Sequence, residues 1–284
     1  MNPKLKNMIV RAMTGVVYVG LLVGCTIYGA HTMFLFFALV SAATLWEFGG
    51  IMNRHYGASV NRGFLSLAGI VLAAAVWLLM IGGQGTAQMF GLYGVIMLYL
   101  LVSELYKQAP DAIKNWSVTF ASQLYIALPL SLMPLVAVFR TGDEMHYEWI
   151  YPLALFIFLW VSDTGAYLCG SLLSRFVPYK LFPRISPNKS WIGSIGGGLL
   201  TVGVSAIISS LYPESLTLPQ WMGFALVVVI FGTWGDLVES LMKRQLGIKD
   251  SGNILPGHGG MLDRFDSALL AIPASVIYFL MLGM

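Results

Sequence analysis

Nine apolar runs divide the sequence, and they constrain the fold more than any other feature. A bilayer core is about 30 Å thick and needs roughly 20 helical residues to cross it, which is close to the length of each run. The runs cover residues 12–29, 32–52, 64–82, 86–105, 118–139, 149–171, 192–212, 219–239 and 267–283. Charged residues make up only 10% of the 284 positions and hydrophobic residues 57%, a balance that excludes an ordinary soluble domain. The sequence therefore predicts an all-α, polytopic integral membrane protein with nine transmembrane helices.

The distribution of Lys and Arg predicts how the helices are oriented. Cationic residues favour the cytoplasmic side of a membrane. If the N-terminus is cytoplasmic, all of the 16 cationic residues except Arg140 fall on that side. A missed or invented helix would disrupt this pattern, so it supports both the span count and a cytoplasmic N-terminus. We expect two regions: transmembrane helices 1–5 in residues 1–140, and a catalytic region in residues 141–284 with helices 6–9 and cytoplasmic loops 172–191 and 240–266.

The segment 240–266 is the longest passage without an apolar run. It reads SLMKRQLGIKDSGNILPGHGGMLDRFD and combines cations, carboxylates and glycines. Its charged residues include Lys243, Arg244, Lys249, Asp250, Asp263, Arg264 and Asp266. Phosphate esters bind cationic side chains, and divalent metals bind carboxylates. The segment therefore indicates a site for a phosphate ester and a metal ion.

Acidic residues inside the spans are costly there and usually functional. Asp163 and Asp236 lie toward the cytoplasmic ends of the sixth and eighth runs. Asp263 and Asp266 share a helix face if the ninth helix begins just before them, near its positive end. We expect these four carboxylates to converge at the cytoplasmic membrane surface, either around a metal ion or in an ion-pair network with basic side chains. Hard oxygen ligands favour Mg²⁺ over Zn²⁺.

Two further expectations concern helix ends. Asp236, Glu239, Ser240 and Lys243 are three or four residues apart and should share one face of the eighth helix. Glu47 lies near the cytoplasmic end of the second run. We expect Glu47 to be an interfacial carboxylate that either faces water or pairs with a basic residue of the next loop. The basic residues there are Arg54 and Arg62.

The loop before the seventh run is basic. Residues 175–193 read RFVPYKLFPRISPNKSWIG and contain four cations and no acid: Arg175, Lys180, Arg184 and Lys189. This charge fits either attraction to anionic lipid headgroups or binding of a substrate phosphate. The glycines that follow, Gly193 and residues 196–198, fit either a phosphate-binding loop or close helix packing.

The segment from Ser240 to Asp266 resembles the signature of the phosphatidate cytidylyltransferase family, the CDP-diacylglycerol synthases. The matching positions, with the family's spacing, are Ser240, Lys243, Arg244, Lys249, Asp250, Gly252, Leu255, Pro256, His258, Gly259, Gly260, Asp263, Arg264 and Asp266. Residues 163–167 (DTGAY) and 185–193 (ISPNKSWIG) are also similar to family motifs. In the second of these, Ser190 stands where Thr is usual and Ile192 where a polar residue is common. A signature this long is highly specific.

The resemblance implies an all-helical membrane enzyme that joins CTP and phosphatidate to give CDP-diacylglycerol and pyrophosphate. It implies Mg²⁺ as cofactor, K⁺ as a second cation, and a homodimer. The implied metal ligands are Asp236, Asp263 and Asp266. The candidate catalytic residues, from the motifs and their chemistry together, are these three with His258, Lys243 and Arg244. The candidate substrate-binding residues are Asp163, Lys180, Arg184, Ser186, Lys189, Ser190, Ser240, Lys249, Asp250, Gly259, Gly260 and Arg264.

The chemistry of this reaction suits these residue types. The lipid phosphate is already an anion near neutral pH, so its attack on CTP needs charge neutralisation and alignment more than a strong base. His258 could contact a phosphate or help the leaving group, or it could only shape its glycine loop. We expect CTP and membrane lipids as partners, no nucleic acid, and a location in the bacterial inner membrane with the active site facing the cytoplasm.

Two other functions remain open at this point. A CTP-dependent lipid-alcohol kinase of the polyprenol type would need a general base for the alcohol and would release CDP instead of pyrophosphate. An ion-coupled transporter would use Asp163 and Asp236 as ion sites at the membrane midplane. The position of both acids near one membrane face argues against the transporter.

Overall fold

The computed structural model describes residues 3–108, 110–141, 144–173, 179–252, 254–255, 257 and 259–284, with residues 3–9, 140–141 and 144 described for their backbone only. His258, Pro256 and Arg175 lie outside the described residues, and so does the role predicted for His258. Helix accounts for 78% of the chain. Over the described residues, strand is confined to two short hairpins.

The helices and strands follow in chain order. The helices are α1 (Pro3–Tyr28), α2 (Ala30–Ile51), α3 (Arg62–Met80), α4 (Thr86–Lys107), α5 (Ala112–Ser122), α6 (Leu128–Ser131), α7 (Pro134–Ala137), α8 (Ile150–Leu173), α9 (Trp191–Leu211), α10 (Leu218–Gln245) and α11 (Leu262–Met281). A π-helical turn, Met52–Tyr56, follows α2, and another, Gln123–Ala127, joins α5 to α6. The strands form two antiparallel hairpins, β1 (Val138–Thr141) with β2 (Glu144–Tyr147), and β3 (Lys180–Phe182) with β4 (Ser186–Ser190).

Nine helical segments of the described chain are long and apolar enough to cross a membrane. They are Val10–Tyr28, Ala30–Tyr56, Arg62–Met80, Thr86–Lys107, Ala112–Ala137, Ile150–Leu173, Trp191–Leu211, Leu218–Gln245 and Leu262–Met281. The prediction of an all-α polytopic membrane protein is confirmed. The eighth segment continues to Gln245, beyond the predicted end of its apolar run, so the beginning of the 240–266 segment is helical. The orientation of the N-terminus stays a prediction.

Contacts divide the chain into two units. The first comprises Met1–Trp149 and Leu246–Phe265, and the second comprises Ile150–Gln245 and Asp266–Met284. The segment 240–266 therefore contributes residues to both units. The functional division predicted at residue 140 stays a prediction.

In the first unit, α2 is the central helix. It packs against α1 and α3, and α3 packs against α4. Met33, Phe37 and Leu45 of α2 are fully buried or nearly so, at 0%, 1% and 0% exposure, because α2 is apolar on most of its sides. Phe37 also makes an edge-to-face contact with Phe265.

In the second unit, α8 and α9 approach closely through glycines. A Cβ atom added to Gly165 of α8 would lie 2.9 Å from Cα of Gly197 in α9, and one added to Gly193 would lie 2.7 Å from the carbonyl oxygen of Ala166. Small residues at such contacts let two membrane helices pack backbone to backbone. Gly193 and Gly197 thus serve helix packing, which was one of the two roles left open for these glycines.

Candidate active site

A cavity with a charged lining in the second unit includes Asp236 among its lining residues. It has a volume of about 280 Å³ and is lined by residues of α8, β4, α9 and α10. Within it, Oδ2 of Asp236 forms an ion pair with Nζ of Lys189. Oδ1 of Asp236 accepts a hydrogen bond of 3.0 Å from the hydroxyl of Ser240. The Asp236 carboxylate is therefore held by one cation and one hydroxyl group.

Three carboxylates of the second unit lie within electrostatic range of one another. Asp236 interacts with both Asp163 of α8 and Asp266 of α11, and Asp163 interacts with Asp266. The cations that counter this repulsion are Lys189, which acts on Asp163, and Lys243, which acts on Asp266. Like charges this close need a neighbouring cation to stay ionised together. The structure thus brings together three of the four carboxylates expected to converge, and the fourth, Asp263, belongs to the first unit.

The close approach of α10 and α11 depends on Gly235. A Cβ atom at this position would lie 2.5 Å from the carbonyl oxygen of Asp266 and 3.0 Å from Cα of Ser267. Real Cβ atoms essentially never come so close to backbone atoms. The glycine beside Asp236 therefore lets the beginning of α11 lie against α10, and this contact brings Asp266 near Asp236.

The described part of the basic loop before α9 forms a β-hairpin. Lys180 of β3 pairs with Ser190 of β4, and Phe182 pairs with Ser186. This pairing fixes β4, whose fourth residue is Lys189, beside α8 and α9. Lys180 is exposed on the surface and Ser186 is half-buried. The hairpin is the element that carries the Lys189 ammonium group to Asp236, and sequence periodicity did not predict it.

Ser190 links the hairpin to α9. Its hydroxyl caps the helix by accepting a hydrogen bond of 3.2 Å from the backbone N–H of Gly193, and the residue is only 4% exposed. Such a cap satisfies one of the free N–H groups at a helix start. On the other side, Nε of Arg244 donates to the carbonyl oxygen of Ile185 at 3.4 Å. Ser190 and Arg244 are both predicted site residues. Ser190 bonds to the backbone just after Lys189 and Arg244 to the backbone just before β4, so both help to position Lys189.

The face of α10 that follows Asp236 carries a second ion pair. Nζ of Lys243 lies 2.5 Å from Oε2 of Glu239, one turn earlier, and the Glu239 side chain is fully buried. Together with the hydrogen bond between Ser240 and Asp236, this pair confirms that the four residues share one helix face. The remaining predicted charged residues are exposed: Arg184, Lys249, Asp250 and Arg264.

In the first unit, Asp263 organises the loop that precedes α11. Its Oδ2 atom accepts hydrogen bonds from the backbone N–H groups of Ser251, at 2.9 Å, and Gly260, at 2.8 Å. Gly259 has a φ of +87°, and a Cβ atom there would lie 2.7 Å from the same oxygen. Gly259 and Gly260, predicted to bind substrate, therefore pack their backbone around Asp263.

Glu47 holds the same loop from α2, a role that sequence reasoning did not predict. Its side chain is buried, with 4% exposure, and Oε1 accepts hydrogen bonds from the Ser251 hydroxyl at 2.6 Å and the Leu262 N–H at 3.0 Å. Oε2 accepts a hydrogen bond of 3.0 Å from the Met261 N–H. These last two N–H groups stand at the start of α11, where a helix leaves donors without a partner.

The expectation that Glu47 faces water or pairs with Arg54 or Arg62 is therefore wrong. Arg62 instead donates from Nε to the carbonyl oxygen of Trp46 at 2.8 Å. A carboxylate removed from water needs several donors to compensate for its lost hydration, and Glu47 finds three on the loop. The signal available in the sequence was an acidic residue within an apolar run, which is costly unless it has such partners.

The carboxylates also bear on the predicted metal site. Over the described residues, no group of three or more His, Cys, Asp or Glu side chains is already arranged as a metal-binding set. The chemistry of the donors nevertheless fits Mg²⁺, because this ion prefers oxygen ligands and uses one or two protein carboxylates when phosphates supply the rest. Asp236 with Asp266 meets that requirement. The predicted ligand set of Asp236, Asp263 and Asp266 stays a prediction.

In the described part of the chain, nine helices long and apolar enough to cross a membrane and a cavity lined by carboxylates and a lysine define an integral membrane protein with a charged site near helix ends. The chain belongs to the Cytidylyltransferase family, whose model matches residues 9–282. It is 30% identical to a phosphatidate cytidylyltransferase of Staphylococcus epidermidis over 266 residues, which cover 93% of this chain and 96% of the relative. The resemblance drawn from the signature is confirmed.

Other relatives match over a shorter stretch. The chain is 44% identical over 134 residues to a phosphatidate cytidylyltransferase of Staphylococcus aureus (strain COL), covering 46% of this chain and 48% of the relative. A phosphatidate cytidylyltransferase of Staphylococcus haemolyticus (strain JCSC1435) is 43% identical over 132 residues. In these two comparisons the matched part spans about half the length of each relative.

Proposed function

We propose that this protein transfers the cytidylyl group of CTP to phosphatidate and releases pyrophosphate. The observation that carries the proposal is the Asp236–Lys189 ion pair, in a polar cavity and within electrostatic range of Asp163 and Asp266. Membership of the Cytidylyltransferase family and the names of the relatives support the same reaction. The product is CDP-diacylglycerol.

The reaction is a displacement at the α-phosphorus of CTP. An oxygen of the lipid phosphate forms the new bond, and the bond from the α-phosphorus to the oxygen that bridges to the β-phosphorus breaks. Pyrophosphate leaves with that electron pair. The attacking phosphomonoester is largely ionised near neutral pH, since its second pKa is about 6. The protein therefore has to align two polyanions and neutralise their charge, which are the main contributions to phosphoryl transfer.

The residues around Asp236 suit these tasks. Lys189 supplies a cation that exchanges its contact with Asp236 for one with a substrate phosphate. Asp236 and Asp266 would hold Mg²⁺, with Asp263 as a further ligand and Asp163 nearby. The bound ion, with K⁺ as a second cation, would neutralise charge on the phosphate oxygens and on the departing pyrophosphate. Further phosphate contacts fall to the remaining predicted cations, which are Lys180, Arg184, Lys243, Arg244, Lys249 and Arg264.

We further propose that the N-terminus and the active site face the cytoplasm, that the protein resides in the bacterial inner (plasma) membrane, and that it forms a homodimer. The positions of Lys and Arg along the chain support the orientation. The relatives are bacterial proteins, which supports the choice of membrane. CTP is a cytoplasmic nucleotide, so this orientation gives the site access to its substrate.

The test uses the purified full-length protein in detergent micelles with Mg²⁺, phosphatidate and CTP labelled at the α-phosphorus. We expect the label to appear in a lipid product and pyrophosphate to be released. A second reaction with diacylglycerol in place of phosphatidate, and CTP labelled at the γ-phosphorus, examines the kinase alternative. Release of CDP with transfer of the γ-label, or absence of α-labelled lipid, would contradict the proposal.

A further inference from the structure

An apolar groove lies between α9 and α10 in the second unit. Its cavity has a volume of about 500 Å³ and is lined by apolar side chains of both helices and of β3, including Phe182, Ile195, Leu199, Val202, Leu226 and Ile230. Several of these side chains are exposed at the protein surface, with 69% for Leu199 and 45% for Ile230. Because α9 and α10 span the membrane, the groove is open to the hydrocarbon of the bilayer.

The groove adjoins the polar cavity around Asp236. Ser194 of α9 and Thr233 of α10 line both cavities. Thr233 lies three residues before Asp236, so its side chain is one helical turn from that carboxylate. The two hydroxyl residues thus mark the boundary between a charged pocket and an apolar groove. A molecule with an anionic head and an apolar tail matches this pair of cavities in both charge and polarity.

The helices give the groove its direction and length. From Ser194 to Val202, α9 advances by roughly 12 Å at a rise of about 1.5 Å per residue. From Thr233 to Leu226, α10 covers roughly 10 Å in the opposite chain direction. The groove therefore runs from the polar cavity into the membrane-spanning part of both helices, along the path that a lipid chain follows below its headgroup.

Gly198 lies in the middle of the groove lining. A Cβ atom added there would lie 3.5 Å from Cγ1 of Val229, an ordinary van der Waals contact. The space beside Gly198 thus accommodates a Cβ atom without a clash. Methylene groups bind such a surface through the burial of apolar area, whereas a charged phosphate does not.

We propose that the groove between α9 and α10 binds the part of one acyl chain of phosphatidate nearest the headgroup, while the lipid phosphate enters the cavity beside Lys189. This inference rests on the proposed function and adds the location of the lipid tail. Its consequence is that the far end of the groove, at Val202 and Leu226, contributes to the preference for chain length.

The experiment compares phosphatidates with two C8 chains or two C16 chains in mixed micelles. Val202→Trp places a large ring at the far end of the groove. A C16 chain reaches this end and loses contact area with the groove, whereas a C8 chain makes less contact there and loses less. We expect the ratio of kcat/KM for the C16 lipid to that for the C8 lipid to fall about tenfold, the change expected when roughly two methylenes lose their burial. Leu226→Trp should change the ratio in the same direction from the α10 side.

Ile207→Trp is the matched control. Ile207 lies on α9, is 60% exposed and is not among the residues that line the groove. We expect its C16 to C8 ratio to equal that of the wild type. Size-exclusion profiles in detergent identify variants that have not folded. If Val202→Trp does not fold, the C16 to C8 ratio of Leu226→Trp tests the inference.

The result that would overturn the inference is an unchanged ratio in the folded groove variants, or an equal change in Ile207→Trp. Failure of the proposed function would look different, because the wild-type protein would then form CDP-diacylglycerol from neither lipid. As a readout apart from turnover, phosphatidate with a diazirine in one acyl chain should label peptides of α9 and α10. The Val202→Trp variant should reduce this labelling, and labelling confined to other helices would also contradict the inference.

Discussion

Oε1 of Glu47 accepts a hydrogen bond of 2.6 Å from Oγ of Ser251, although 204 residues separate the two in the chain. The same carboxylate accepts N–H groups of Met261 and Leu262, and Asp263 accepts the N–H groups of Ser251 and Gly260. Two carboxylates thus define the conformation of the loop that carries the family signature. Glu47 is a positioning residue: it acts through this loop.

Glu47→Gln should lower both stability and turnover. The amide NH₂ group would face a donor where the carboxylate accepts one, and a buried polar group without a partner costs about 1–3 kcal/mol. We expect a lower thermal unfolding temperature in detergent and at least a tenfold loss of kcat, which corresponds to about 1.4 kcal/mol. Wild-type turnover in Glu47→Gln would show that the loop does not depend on this carboxylate.

A matched control for Glu47 is Glu104→Gln. Glu104 is also a buried carboxylate of the first unit, at 6% exposure, and it accepts hydrogen bonds of 2.6 Å from Lys107 and from Asn115. We expect this variant to lose stability with little change in kcat. A similar loss of kcat in both variants would mean that destabilisation alone explains the effect at Glu47.

Lys189→Met should reduce turnover far more than it reduces stability. The ion pair with Asp236 is partly exposed, with side-chain exposures of 26% and 27%, so its net contribution to folding is small. A cation that stabilises charge in the transition state contributes about 2.7–4 kcal/mol, or 10²–10³ in kcat. Steady-state kinetics should show a loss of this size. Lys114→Met, which removes an exposed pair with Asp111, should retain wild-type kinetics, and equal kinetics for both variants would argue against a role for Lys189.

Gly235→Ala should separate α10 from α11. Its Cβ atom would lie 2.5 Å from the carbonyl oxygen of Asp266, and backbone shifts of this kind cost about 1–3 kcal/mol. We expect a lower unfolding temperature together with strongly reduced turnover, because Asp266 moves relative to Asp236. Gly203→Ala is the control, since nothing lies within 4 Å of its added Cβ, and it should match or exceed wild-type stability. A stable, fully active Gly235→Ala protein would contradict the close contact.

Asp263→Asn separates the structural role of Asp263 from its predicted metal role. The amide oxygen of Asn can still accept the N–H groups of Ser251 and Gly260, so the loop should keep its conformation. The charge is lost, and we expect the protein to insert and fold while turnover in saturating Mg²⁺ falls below detection. Activity near that of the wild type would remove Asp263 from the proposed ligand set.

The sequence by itself determined the elements that depend on local patterns. Hydropathy specified the nine spans, because a bilayer requires a fixed length of apolar helix whatever the helix packs against. The spacing of Asp236, Ser240 and Lys243 specified their common face, because helix geometry relates residues three and four apart. The signature of residues 240–266 identified the family and most of the candidate residues.

Only the tertiary structure decided which of these residues meet. The contact of Lys189 with Asp236 requires a β-hairpin that leads into the Ser190 cap of α9, and the approach of Asp266 requires a glycine at position 235. The hydrogen-bond donors to Glu47 lie on a loop more than 200 residues later in the chain. The residues next to Glu47 in the sequence do not indicate this contact. Each of these contacts joins segments far apart in the chain, so it depends on how helices pack, whereas periodicity records only what neighbouring residues share.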